Sequence, residues 1–132
     1  MQVVTCIFAT ASVAQDIDLE PISANMQNQV DSHGIRLFDE GQYALVADRR
    51  GGAVLCFDVS DPADMRLVSK VSGRQTEGAH YVTIGPEERY AYTGAVGYFT
   101  IVDITDPENI ALHGSVKAND EFSQDIVVAD PH

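Results

Sequence analysis

The run Tyr98-Phe99-Thr100-Ile101-Val102-Asp103-Ile104-Thr105-Asp106-Pro107 restates Ala53-Val54-Leu55-Cys56-Phe57-Asp58-Val59-Ser60-Asp61-Pro62 at a distance of 45 positions. Asp58/Asp103, Asp61/Asp106 and Pro62/Pro107 match outright, and Val59/Ile104 and Ser60/Thr105 are close equivalents. The correspondence continues through Asp64/Asn109, Met65/Ile110, Leu67/Leu112 and Val71/Val116. Upstream, His33-Gly34-Ile35-Arg36-Leu37 followed by Tyr43-Ala44-Leu45 is answered by His80-Tyr81-Val82-Thr83-Ile84 followed by Tyr90-Ala91-Tyr92. The spacing there is two residues longer, and the difference falls in one turn. The first copy reads Asp48-Arg49-Arg50-Gly51-Gly52 where the second ends Val96-Gly97. A third copy opens at Asp125-Ile126-Val127-Val128-Ala129-Asp130-Pro131. A fixed period of this length decides the fold before any local propensity does.

Each repeat divides into four short β-type runs separated by turn residues. In the second copy they are His80–Ile84, Arg89–Gly94, Tyr98–Ile104 and Ile110–Val116. Gly85-Pro86-Glu87-Glu88 makes the first turn, where proline presets φ. Pro107 cannot donate to a ladder and ends the third run. Nothing repeats with the 3.6-residue period of an amphipathic helix. The predicted class is therefore all-β, with four antiparallel strands per repeat, the blade unit of a β-propeller. Blades are expected over 31–77 and 78–122. Residues 15–30 are expected to hold a partial preceding blade and a connecting loop, and 123–132 the start of a truncated further blade.

The run Phe99–Asn109, preceded by Tyr90-Ala91-Tyr92, resembles the LVIVD-repeat family of β-propellers. The first copy is looser, since Val54-Leu55-Cys56-Phe57-Asp58 keeps the aspartate but replaces the central Ile-Val. The resemblance covers roughly residues 31–130. It implies a propeller of the kind found in bacterial and archaeal surface or secreted proteins, with no fixed catalytic motif. A looser similarity extends to other propellers with a His-x-Val…Tyr-Ala-Tyr rhythm, including lactonase-like and selenium-binding-like enzymes. A closed ring takes about four to eight blades, and a blade cannot bury both faces without neighbours. The expectation is an incomplete ring, a fragment of a larger propeller, whose first partners are the remaining blades of the same parent chain.

Composition narrows the function classes. A net charge of −12 over 132 residues, with a pI near 4.4, argues against nucleic acid and anionic membrane surfaces, which require clustered Lys and Arg. No run is long and apolar enough for a membrane span. Val3–Ala14 resembles the apolar core and small-residue cleavage site of a secretory signal but lacks a basic lead. Two readings stay open for 1–14: a signal peptide, or a strand of a preceding blade. The expected location is secreted, periplasmic or cell-surface. Cys56 stands where the second repeat has Ile101 and reads as a small buried hydrophobe. Cys6 lies in the apolar N-terminal run, and two cysteines do not define a redox compartment.

The candidate site residues follow from repeat position. His33, His80 and Asp125 lead the first strand of successive blades, so they should gather at one mouth of the ring. Arg49 and Arg50, in the turn between second and third strands, belong to the same rim. Imidazoles and a carboxylate at one point could bind a metal or move protons. The stronger reading is structural, with each histidine bonded to an aspartate of its own blade. Paired arginines beside glycine can clamp a carboxylate or phosphate, although a solvated hairpin tip is the plainer reading. His113 and His132 align with Val68 and Glu87 and stay outside the group. Asp16, Asp18 and Glu20 have calcium-loop spacing, but Pro21 stands where such a loop needs glycine. No nucleophile elbow or phosphate loop is present. The expected function is a non-catalytic scaffold whose loop-lined rim binds a protein or small ligand, with no cofactor and no metal. The alternative is a propeller enzyme, lactonase-like or selenium-binding-like, using the channel-mouth histidines.

Overall fold

The computed structural model describes residues 31–122 together with Ile126 and Val128. The readings placed on residues 1–30, including Cys6 and the Asp16-Asp18-Glu20 spacing, lie outside the described residues, as do Asp125 and His132. Strands β1 (Ser32–Phe38), β2 (Tyr43–Asp48), β3 (Ala53–Asp58) and β4 (Arg66–Ser72) form one antiparallel sheet in chain order. Its first hairpin turns through Asp39, Glu40 and Gly41, all at positive φ, closed by Gly41 N–H donating to Phe38 O.

The second sheet contains β5 (Val82–Ile84), β6 (Tyr90–Asp103) and β7 (Ala111–Phe122). Fourteen extended residues would span about 45 Å. Yet Ile104 N–H donates to Arg89 O at 3.0 Å, which brings the two ends of β6 together. β6 is therefore a hairpin that doubles back near Gly97, where φ is 70°. Val59 N–H donates to Gln42 O at 2.8 Å at the same place in the first sheet. The four-strand rhythm holds in both blades. The inner strand of the second blade begins at Val82, however, so His80 and Tyr81 lead into it as irregular backbone.

The repeated aspartates build turns. Asp58 Oδ1 accepts from Ser60 N–H, and Asp103 Oδ1 from Thr105 N–H. Three residues on, Asp61 Oδ1 accepts from Ala63 N–H and Asp106 Oδ1 from Glu108 N–H. Pro107 then opens a short 3-10 turn, Pro107–Asn109. This is local side-chain-to-backbone capping, which aspartate performs better than most residues.

The core lies between the two sheets. Leu45, Val54 and Cys56 on one face of the first blade pack with Val82, Ala91 and Val102 of the second. Each is at most 1% exposed, and full burial of such a side chain contributes roughly 1.5–3 kcal/mol. Cys56 behaves as the hydrophobe expected, and burial pushes its thiol up to about 12. The other face of the first blade carries a second cluster, Ala44, Val46, Ala53, Leu55 and Phe57. A cavity of about 320 Å³ opens beside it, lined in part by Ile35, Ala44, Phe57, Val59 and Met65. Those five are the repeat counterparts of Val82, Ala91, Val102, Ile104 and Ile110, the residues with which the second blade joins the inter-blade core. Among the described residues no helix is long and apolar enough to cross a membrane.

Candidate functional site

The site forms where the lead-in to β1, the β2–β3 turn and the lead-in to β5 meet. Its organiser is Asp48, fully buried at the end of β2. Asp48 Oδ1 accepts from Asp31 N–H at 2.8 Å and from Gly51 N–H at 3.3 Å. Arg49 N–H donates in turn to Asp31 O at 2.9 Å. These three bonds fasten the arginine turn to the residues that precede β1. A buried carboxylate is tolerated because backbone N–H groups replace its lost water.

Asp31 carries the arrangement outward. Its Oδ1 lies 3.2 Å from His33 Nε2 and its Oδ2 lies 3.2 Å from Arg50 Nε. Both oxygens are engaged, so Asp31 orients its neighbours. The Arg50 side chain stays 75% exposed even though its Nε is anchored.

His33 meets His80 across the junction between blades. The ring centroids are 4.1 Å apart at an angle of 38°, and the Tyr81 ring lies 4.9 Å from that of His80. Glycine at 34 permits this approach, because a Cβ there would stand 2.9 Å from Tyr81 Cα. His80 Nδ1 is buried and has no hydrogen-bond partner among the described residues. Burial first, then the nearby His33 and Arg49, holds the His80 imidazole below its ordinary value, and Asp31 pulls more weakly the other way. The neutral ring is favoured at pH 7.

The repeat explains the asymmetry. Asp31 and Asp48 correspond to Gly78 and Ala95 in the second blade. His33 lies beside a carboxylate of its own blade, whereas among the described residues His80 has no such ion pair.

Four of the five sequence-derived site residues therefore come together. His33, His80 and Arg50 share one cluster, and Arg49 acts on His80 electrostatically. Sequence reasoning missed Asp31 and Asp48. Asp48 opens the turn where the repeats differ in length, while Asp31 lies outside it, and neither has a carboxylate at its repeat counterpart. His113 stacks on Tyr90 at 4.6 Å, away from this cluster, as its alignment implies. Among the described residues no group of three or more His, Cys, Asp or Glu side chains is arranged to hold a metal ion.

No curated protein matches the chain in sequence. Its fold is similar to that of a functionally unknown protein from Desulfotomaculum acetoxidans, with a TM-score of 0.60 at 12% identity, covering 67% of this chain and 27% of that one. It is also similar to a candidate 6-phosphogluconolactonase from Bacteroides fragilis, with a TM-score of 0.57 at 16% identity over 70% and 28% of the two chains. For the periplasmic gluconolactonase of Pseudomonas aeruginosa the TM-score is 0.56 at 15% identity, over 70% and 27%. The matched part spans little more than a quarter of each of these proteins. At these identities the likeness is one of fold alone, and that fold is the bladed sheet of a β-propeller. A family model described as LVIVD repeat matches residues 39–72 and 86–118, just over half of the sequence and one match per blade. The chain belongs to the LVIVD-repeat family.

Proposed function

We propose that the chain is a non-catalytic propeller scaffold whose Arg49–Arg50 rim binds a carboxylate- or phosphate-bearing ligand, an acidic protein partner foremost. The supporting observation is the Arg50 guanidinium, anchored through Nε on Asp31 while the side chain stays 75% exposed. Anchoring one edge lowers the entropy lost when the other edge engages an anion. The test is calorimetric titration of the full chain with citrate at pH 7 and low salt. Saturable binding should weaken about tenfold or more in the Arg49→Ala/Arg50→Ala double variant. Equal binding by both proteins would refute the reading.

The likeness to the Pseudomonas aeruginosa periplasmic gluconolactonase favours a second reading, a lactone hydrolase using His33 and His80. Gluconolactone hydrolysis above background that disappears in His33→Ala/His80→Ala would establish it over the first. That neighbour and the apolar run Val3–Ala14 also support export. An exported parent protein should show Gln15 as its N-terminus by mass spectrometry; intact Met1 would contradict cleavage at that site. The remaining partners on this reading are further blades. The cavity walls support it, being the repeat counterparts of a face that a neighbouring blade covers.

A further inference from the structure

We propose that the tilted His33–His80 ring pair is an acid-sensitive latch between the two blades, whose release loosens the arginine rim. The proposal rests on the rim reading above and adds its regulation. The pair joins elements that the chain brings together from 47 positions apart, the start of β1 and the lead-in to β5. The charged and titratable groups around it are Asp31, Asp48, Arg49 and Arg50 of the first blade, with Tyr81 of the second. Glu77 contributes its backbone, which packs against Gly52.

Two geometric facts make the contact intolerant of a proton. A second proton on the His80 ring requires both nitrogens to donate, and Nδ1 is buried without an acceptor among the described residues. The charge would also arise 4.1 Å from the His33 ring, and the Arg49 charge opposes it. Among the described residues the second blade offers no carboxylate at the equivalent places, having Gly78 and Ala95 where the first has Asp31 and Asp48. Asp31 already serves His33 and Arg50. A protonated His80 is relieved by leaving the ring contact, which withdraws residues 79–81 from β1. His33 is then free to turn, and the Asp31 carboxylate that anchors Arg50 loses its fixed neighbour. In the neutral state the same rings pack as an aromatic pair.

The experiment measures amide protection factors in the full chain from pH 7.5 to pH 5.0, normalised for intrinsic exchange. Residues 33–36 and 79–83 should lose about tenfold or more in protection across this range, while β3 and β4 lose much less. His80→Asn, which cannot titrate, should flatten the response. Should that variant fail to fold, histidine side-chain NMR of the native protein decides the same point, because His80 must begin to titrate as the protection falls. Uniform protection across the pH range, or an equal loss in His80→Asn, would overturn the latch. Citrate titration of the arginine variants is read separately. An unchanged citrate affinity would remove the rim reading and leave the latch standing, whereas pH-independent protection removes the latch alone.

Discussion

At the scale of single residues, carboxylates do most of the local ordering, and each has a distinct consequence. Asp48 is fully buried and accepts from two backbone N–H groups. Asp48→Ala should cost about 2–3 kcal/mol, read as a lowered urea midpoint with an unchanged slope; a loss below about 0.5 kcal/mol would contradict its role as organiser. Acid should act in two windows. The folded pKa of His80 lies below 6.5, so the unfolded chain binds more protons and stability declines as pH falls from about 6.5. Asp58 and Asp103 are held below 3.8 chiefly by hydrogen bonds from Ser60 and Thr105. Their contribution is complete above that value and lost as pH falls through their lower folded values. Thermal melts across pH should show both declines, and His80→Asn should remove only the first. The histidines were legible in the sequence because repeat alignment sets them at matching positions, and the arginines because they form a basic pair in the one turn where the repeats differ. Asp31 and Asp48 were not, because no repeat partner marks them. They replace Gly78 and Ala95, and only their buried hydrogen bonds reveal what they do.

At the scale of elements, the Asp-x-x-Asp-Pro turn is the device both blades share. Two aspartates cap successive stretches of backbone, so the third strand ends and the fourth begins at a fixed angle. That pattern was readable because its cause is local, a side chain bonding two residues onward. The length of β7 and the late start of β5 were not. β7 extends to Phe122 because Val96, at the β6 bend, pairs with Phe122. β5 starts at Val82 because His80 and Tyr81 turn toward β1 instead of into the ladder. Neither cause lies within the strand itself. The third strand supplies a further test. Cys56 is fully buried and its thiol is pushed up to about 12, so it should resist a thiol reagent in the native protein at pH 8. Labelling should proceed at the rate of global unfolding; rapid labelling would mean that the inter-blade core opens on its own.

At the scale of the whole molecule, the two blades solve half of each other's problem. One junction is filled, while the opposite face of the first blade leaves Ile35 58% and Leu37 61% exposed beside an apolar cavity. The repeat makes this face the counterpart of one that is buried in the second blade. An apolar sheet face of that kind favours covering by another blade or another molecule. The net charge of −12 works against association but does not remove the face. Multi-angle light scattering of the 132-residue chain, compared with its Leu37→Glu variant, tests this account most directly. The unmodified chain should self-associate at micromolar concentration, with a clear shift toward monomer in the variant. A cooperatively unfolding monomer in both cases would contradict this, and would mean that the apolar face of the first blade needs no cover.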